Sequence, residues 1–216
     1  VLEKKGYFKT LHSICYNQLG VSQGELLVGG TDDTKWLRAA VGDEKIRITN
    51  RDTNDDLFSL PSEMSDAGKA LALWDVARNR LVPLNLIWEI QDRTDERLPD
   101  VRTCQIVVSE YEEAKRRDGR LDFCDMLMRY AGKKWSGNHK SPFEDADQDG
   151  RDPNLPVWFL DEAQDMSLLT SLVFKRLIRT ATWVYLAGDD RQSVYGWAGC
   201  DGSIFADWPV VKEEVL

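Results

Sequence analysis

Two apolar segments of the chain are each followed by a pair of acidic residues, an arrangement that can support metal-dependent chemistry. The run VWFL ends in Asp161 and Glu162, and the run TWVYLA is followed, after one glycine, by Asp189 and Asp190. Ligands of open α/β sheets bind beyond the carboxyl ends of the strands. One carboxylate of each pair can hold a hard cation through its water shell while its neighbour faces a nucleophilic water. Solvated acidic turns are the alternative.

The elements that would position these carboxylates are two strands and a helix. Unbroken apolarity over residues 157–160 and 182–187 is typical of strands that are covered on both faces, and it predicts two central strands of a parallel sheet. Residues 168–179 carry a wide apolar stripe at helical spacing. Strand, helix and strand in this order predict a right-handed crossover unit and an α/β fold.

The segments before these strands are predicted to be mainly helical. Apolar spacing and end signals indicate helices over residues 10–19, 61–81, 103–118 and 121–130, with Asp122 as the N-cap of the last. In the third helix, Ile106 and Tyr111 are expected on the buried face, and Glu112 and the basic residues after it on the solvent face. Polar loops are expected over residues 20–56 and 132–156.

Composition restricts the function classes. The net charge of −9 over 216 residues argues against a generally basic nucleic-acid binder, although a local basic groove stays possible. No segment is long and apolar enough to cross a bilayer, so no membrane partner is expected. The four cysteines lack the spacing of a metal site, and we interpret them as reduced core residues of a cytoplasmic protein.

Four segments occur in an order that resembles a known family. VWFLDEAQD and LAGDDRQSVYGWAG follow the upstream segments TLHSIC and YEEAKRRDGRLDFCDML. Together they resemble the UvrD/Rep-like family of superfamily 1 DNA helicases, namely its Walker B motif, motif III, T-x-H-S segment and D-F-x-x-L-L element. The resemblance implies a parallel RecA-like (P-loop NTPase) sheet flanked by helices. It also implies a mainly α-helical subdomain, residues 21–120, inserted between motor-domain parts at residues 1–20 and 121–216.

The resemblance also implies ATP and Mg²⁺ as cofactors. Asp161 would hold Mg²⁺ through water, and Glu162 would orient and deprotonate the water that attacks the γ-phosphate. Gln192 would contact the same phosphate and report its hydrolysis to the DNA site, because an amide can both donate and accept a hydrogen bond.

Single-stranded DNA, or a junction of single and double strands, is the implied partner. Tyr195 and Trp197 are two residues apart, so in an extended loop both rings project the same way and can stack on successive bases. Thr10 and His12 match family residues that line the strand path. A core aromatic is the alternative for Trp197, and a structural imidazole is the alternative for His12.

The chain departs from the family pattern in two places. Ala198 follows Trp197 where the family has an arginine, so a charged contact that would couple nucleotide to DNA is missing. A Walker A loop, G-x-x-x-x-G-K-[ST], does not occur in the sequence, and by family order it would precede Val1. We therefore expect this chain to be an interior piece of a first motor domain. Alone it should hydrolyse ATP poorly, and its expected partner is the remaining motor domain of its parent chain.

Three function classes follow from these observations. The first is part of an ATP-driven DNA helicase or translocase, serving a process such as DNA repair or replication. The second is a non-catalytic nucleic-acid-binding remnant of a helicase. The third is a metal-dependent hydrolase that uses Asp161, Glu162 and Asp189, which gives no reason for the aromatic residues of motif III.

The acidic segment DADQDG, residues 145–150, copies the start of an EF-hand loop. Position 12 of such a loop requires a bidentate glutamate, and Pro156 stands there without a side-chain oxygen. We therefore expect a solvated acidic loop and not a calcium site.

Overall fold

The computed structural model describes residues 9–46, 64–92, 98–189, 199–200 and 202–209. The helices in these ranges are α1 Leu11–Leu19, α2 Thr31–Val41, α3 Asp66–Arg80, α4 Leu84–Asp92, α5 Val101–Asp118, α6 Phe123–Ala131, α7 Leu168–Leu177 and α8 Gly202–Ala206. The strands are β1 Lys133–Trp135, β2 Phe143–Asp145, β3 Val157–Leu160 and β4 Trp183–Leu186, and a short 3-10 helix covers Ala163–Asp165. No helix within the described ranges combines the length and apolarity that crossing a bilayer requires.

Local sequence signals account for the ends of several helices. Asp122 and Asp125 form a capping box at the start of α6, which confirms Asp122 as its N-cap. Ser167 and Thr170 form a second capping box at the start of α7. α5 ends at Gly119, which adopts the left-handed conformation that glycine permits without a steric penalty.

The apolar side chains form two buried clusters. The first is built largely from α2, α3, α4 and α5 around the fully buried Trp74, whose ring stacks on Phe143 of β2 at a centroid distance of 5.6 Å. The second is built from α1, α6, β3 and α7, and includes Tyr130, Trp158 and Phe174. Helices α2 to α5 thus pack mainly with one another, and the strands β3 and β4 belong to the second cluster.

A buried ion cluster joins these two groups of helices. Arg78 of α3 and Lys115 of α5 are only 2% and 3% exposed, and both contact Asp122 and Asp125 at the start of α6. Lys115 Nζ lies 3.0 Å from Glu112, 3.0 Å from Asp122 and 2.6 Å from Asp125. Burial alone would raise the pKa of Asp122, but the charges of Arg78 and Lys115 outweigh it and lower the pKa. The cluster fixes α3 and α5 against α6.

The predicted faces of α5 were therefore wrong in part. Ile106 is 51% exposed, whereas Glu112 and Lys115 are buried. Charged side chains three residues apart resemble a solvent-facing pair, but here each finds partners on other helices. Such partners make burial of a charge possible.

Several segment boundaries also differ from the predictions. The region predicted as a polar loop over residues 20–56 contains α2, bounded by Gly30 and Gly42, and the predicted loop over residues 132–156 contains the hairpin β1–β2. The helix predicted from residue 61 begins at Asp66, capped by Ser65, and α4 follows Pro83 where no helix was predicted. The strands of the hairpin have three residues each, too few to produce a clear alternating signal.

Strands β3 and β4 are parallel, as predicted, with Val157 opposite Trp183 and Leu160 opposite Leu186. The prediction that both faces are covered was wrong for the part of the chain that the structure describes. Phe159 is 74% exposed and stacks on the half-exposed Tyr185 at a centroid distance of 4.7 Å. Within the described ranges this sheet has two strands, and helices pack on one face only.

Removing one cation from the buried cluster should destabilise the protein strongly. In an Arg78→Met variant, the carboxylates of α6 lose one of their two buried cations. Breaking a buried ion pair in this way costs about 3–5 kcal/mol of unfolding free energy, which urea unfolding followed by far-UV circular dichroism will measure. Arg117→Met is the matched control, because Arg117 is 70% exposed and pairs only with its neighbour Asp118 among the described residues. Equal urea midpoints for the two variants would contradict this account of the cluster.

Candidate functional site

The turn after β3 is bonded to the end of β4. Ala187 N donates to Leu160 O at 2.8 Å, and Ala163 N donates to Ala187 O at 2.9 Å. These two bonds extend the strand pairing beyond both strands. They hold Asp161 and Glu162 beside the chain that leaves β4, at the carboxyl edge where ligands of α/β sheets bind.

Asp161 and Glu162 are both exposed at this edge. The Asp161 carboxylate accepts a hydrogen bond from the backbone N–H of Glu162 at 3.0 Å. Glu162 has a φ of 52°, in the left-handed region that residues other than glycine rarely adopt. Such conformations persist where the surrounding structure imposes them, and they occur often at functional sites.

Gln164 connects the acidic turn to β4. Its side chain is 2% exposed, and its Nε2 donates to Glu162 Oε2 at 2.6 Å. Its Oε1 accepts from the backbone N–H of Asp189 at 3.1 Å. Gly188 permits this approach, because a Cβ there would lie 2.5 Å from Gln164 Oε1. One buried amide thus orients Glu162 and holds the start of the segment after β4.

Gln164 and Gly188 were not among the site residues predicted from the sequence. One signal for Gln164 was available in the sequence. An amide in a turn between buried elements is itself expected to be buried, and a buried amide must find hydrogen-bond partners. The sequence does not reveal that these partners are Glu162 and Asp189, since that depends on the pairing of strands more than twenty residues apart.

Both ends of the motif III segment lie at this turn. Asp189 is bonded to Gln164, and Cys200 Sγ donates to the backbone oxygen of Asp165 at 2.7 Å. Burial and the charge of Glu162 raise the pKa of Asp165. Between these anchors, residues 190–198 lie outside the described residues, so the roles of Gln192, Tyr195 and Trp197 stay predictions.

The donor set suits one Mg²⁺ held mainly by water and phosphate. Mg²⁺ generally takes one or two protein carboxylates and keeps several waters, and the exposed Asp161 offers such a ligand. Within the described ranges, a compact group of three carboxylates occurs at Glu112, Asp122 and Asp125, where Lys115 supplies the positive charge. Asp161 does not belong to such a group, so the structure does not favour the alternative of a hydrolase with a three-carboxylate metal centre.

The two predicted DNA-path residues in the described ranges both lie at the start of α1. The Thr10 hydroxyl caps this helix by accepting from Ser13 N at 3.2 Å. The His12 ring makes an edge-to-face contact with Phe123 at a centroid distance of 5.7 Å, and burial lowers its pKa. Both residues therefore have structural contacts, and a role in DNA binding stays a prediction.

The acidic segment at residues 145–150 contains paired side chains. Asp145 pairs with Lys133 across the hairpin, and Asp149 pairs with Arg129 of α6 at 2.9 Å. Gly150 has a φ of 80° and passes close to the backbone of Gln18, so the segment is packed against α1.

A parallel strand pair that delivers an acidic turn to its carboxyl edge indicates an α/β protein with its ligand site at that edge. The family is established by comparison with known proteins. The profile of the UvrD/REP helicase N-terminal domain matches residues 4–208, and the chain belongs to this family.

Two relatives carry the same name. DNA helicase II of Salmonella typhimurium is 28% identical over 195 residues, which is 84% of this chain and 25% of that protein. DNA helicase II of Escherichia coli is 32% identical over 127 residues, which is 54% of this chain and 17% of that protein. The chain thus spans a quarter or less of the length of these relatives.

The bridge made by Gln164 can be tested by amide hydrogen exchange. In a Gln164→Leu variant, the backbone N–H of Asp189 loses its acceptor, and we expect its exchange to accelerate by at least about tenfold, as for loss of a bond worth roughly 1.4 kcal/mol. Two-dimensional NMR at fixed pH will measure this rate. Gln148→Leu, at an exposed position, is the matched control and should leave Asp189 unchanged. An unchanged Asp189 rate in Gln164→Leu would show that the bridge does not protect this amide.

Proposed function

We propose that this chain is part of an ATP-dependent DNA helicase or single-stranded DNA translocase that hydrolyses ATP with Mg²⁺. The observation that carries the proposal is the Asp161–Glu162 turn, which Gln164 holds against the end of β4 in a chain of the UvrD/REP helicase family. The common name of the two relatives, DNA helicase II, supports the choice of DNA as the substrate.

In the proposed mechanism, Glu162 orients the attacking water and accepts its proton. Gln164 Nε2 binds Glu162 Oε2, which leaves Oε1 to accept that proton. Asp161 would provide the carboxylate that holds Mg²⁺, and this ion, when bound, would supply positive charge beside the phosphates. Glu162 and Asp161 are both exposed at the sheet edge, so both are accessible to a nucleotide there.

The contact between Gln164 and Asp189 offers a route from nucleotide to DNA. Asp189 directly precedes the segment that contains Gln192, Tyr195 and Trp197. A change at Glu162 on hydrolysis would reach this segment through one buried amide. In this proposal Gln192 senses the γ-phosphate and the two aromatic rings stack on bases.

We assign residues 21–120 to an inserted helical subdomain, and residues 1–20 and 121–216 to the motor domain. The two apolar clusters support this division, because the first draws mainly on α2 to α5 and the second on α1, α6, β3 and α7. Thr10 and His12 belong to the motor part and line the proposed strand path, which would receive single-stranded DNA or a single-strand/double-strand junction.

The open face of β3 and β4 supports a further motor element as partner. Phe159, Trp183 and Tyr185 expose large apolar rings on this face. Patches of this kind on a soluble fold are commonly covered by another element or chain. The remaining motor domain of the same parent protein, working in the cytoplasm, is the partner that this proposal assigns.

Turnover in the full-length protein tests the assignment of Glu162. We expect Glu162→Gln to lower kcat for DNA-stimulated ATP hydrolysis by roughly 10²–10⁴-fold, the usual contribution of a general base. The Kd values for ATP and for single-stranded DNA should change little, because the amide keeps the size of the carboxylate. Steady-state kinetics and equilibrium binding will separate the two effects.

Glu113→Gln provides the control, since Glu113 is exposed on α5. Its kcat should match that of the unaltered protein. A Glu162→Gln protein that turns over ATP as fast as this control would refute the proposed role.

A further inference from the structure

A small basic cleft is lined by the C-terminal half of α5, by Arg120 and Leu121 directly after this helix, and by residues of α6 and β1. It has a volume of about 180 Å³ and shares no lining residue with the turn that carries Asp161. Six cationic side chains line it, although the whole chain is acidic: Lys115, Arg116, Arg120, Arg129, Lys133 and Lys134. The nucleotide mechanism uses none of them.

The acceptors inside the cleft are already engaged. Glu112 and Asp125 are its two acidic lining residues, and Lys115 Nζ contacts them at 3.0 Å and 2.6 Å. Glu112 also accepts from Trp74 Nε1 at 2.7 Å. Lys115 and these two carboxylates therefore satisfy one another, and five cations remain around the cleft.

Two donors in the cleft walls lack an acceptor. Trp135 Nε1 and Arg120 Nε are buried and have no hydrogen-bond partner in the part of the chain that the structure describes. Buried N–H groups are nearly always paired in folded proteins. The cations that line the cleft favour a ligand that is negatively charged and carries several acceptor oxygens.

The existing ion pairs at the cleft mouth can be exchanged for such a ligand. Lys134 pairs with Glu144 at 3.1 Å, and both side chains are more than half exposed. Arg129 pairs with Asp149 at 2.9 Å in a similarly open setting. Exposed pairs contribute little free energy, so a stronger multi-oxygen acceptor can displace the carboxylates.

Arg116 makes no ion pair with any residue in the described ranges. Its guanidinium lies over the Trp135 ring, 5.9 Å from the centroid, and the side chain is exposed. Arg120 and Lys133 pair with Asp33 and Asp145 at the periphery. Arg116 is thus the cation that is most available to an incoming anion.

We infer that this cleft binds a phosphate group of a nucleic-acid backbone, at a contact separate from the strand path of the proposed motor. A phosphate carries several acceptor oxygens and no obligatory donor, which matches the donor-rich walls. The volume is below the roughly 300 Å³ at which pockets for whole small ligands begin, so one phosphate group fits while its sugar stays outside. This contact does not depend on ATP hydrolysis at Glu162.

The test uses the full 216-residue chain and a fluorescein-labelled deoxythymidine 12-mer, with binding followed by anisotropy over a salt series. The cleft variant is Arg116→Gln with Lys134→Gln. The control is Arg117→Gln with Lys140→Gln, which removes the same charge from exposed residues that do not line the cleft. All four positions are exposed, and circular dichroism will verify that both proteins fold.

We expect the cleft variant to raise the Kd about tenfold, in line with the loss of a charged hydrogen bond, and to flatten the slope of log K against log salt by about 1. The control should bind as the unaltered chain does. Inorganic phosphate at millimolar concentration should compete with the 12-mer on the unaltered chain and less on the cleft variant.

Three results would overturn the inference. The first is no salt-dependent binding of the 12-mer by the unaltered chain. The second is equal weakening in the two variants, which would indicate general charge attraction. The third is competition by inorganic phosphate on the unaltered chain together with an unchanged Kd of the 12-mer in the cleft variant. That result would identify a free anion, and not a nucleic-acid backbone, as the ligand of the cleft. The second and third results concern the cleft alone, and ATP turnover of the Glu162→Gln variant tests the proposed motor function separately, so the two failures are distinguishable.

Discussion

The parallel pairing of β3 with β4 is the constraint on which the candidate site depends. Two segments that are separated by a whole helix end at the same edge because their backbones share one hydrogen-bond ladder. The ladder continues through Ala187 and Ala163, so the acidic turn is part of the sheet edge and not a free loop. Gln164 then occupies the space between the two chain ends, and Gly188 leaves room for it. The orientation of Glu162 follows from this pairing.

The ion cluster around Arg78 and Lys115 likewise fixes the relative positions of elements, here of three helices. Burying charges costs desolvation free energy that their mutual attraction only partly offsets. The cluster instead fixes the positions of the helices, because Asp122 and Asp125 must cap α6 and bind cations from α3 and α5 at the same time. Few arrangements of the three helices satisfy all these bonds. The cluster therefore restricts how the helical layer sits on the layer that carries the strands.

The sequence predicted the features that depend on local chemistry or on a strong motif. The N-cap at Asp122 and the end of α5 at Gly119 follow from short-range signals, and the parallel pairing of the two apolar strands follows from the order strand, helix, strand. The burial of Glu112 and Lys115 could not be predicted, because their spacing is that of a solvent-facing pair and their partners come from other helices. Full covering of β3 and β4 was predicted from apolarity alone. Apolarity shows that a face is suited to burial but does not identify which element covers it.

The candidate site was predictable to a similar degree. The strand ends and their carboxylates were visible in the sequence, because an apolar run followed by acidic residues is a local pattern. The bridge by Gln164 was not, since its two partners are brought together only by the fold. The basic cleft could not be predicted from the sequence either. Its cations come from α5, α6 and β1, and each segment alone resembles a solvated charged surface.

Disulfide trapping of the strand register tests the central claim most directly. In a chain with Cys200→Ser, the pair Phe159→Cys and Tyr185→Cys joins residues that lie opposite each other in adjacent strands, roughly 5 Å apart, within the range that a disulfide spans. The pair Phe159→Cys and Trp183→Cys lies on the same face but is diagonal, at about 8 Å, beyond that range. The account predicts that mild oxidation crosslinks the first pair rapidly and the second pair poorly, measured by mass spectrometry of a tryptic digest. Equal yields, or a preference for the diagonal pair, would contradict the register that places Glu162 beside Asp189.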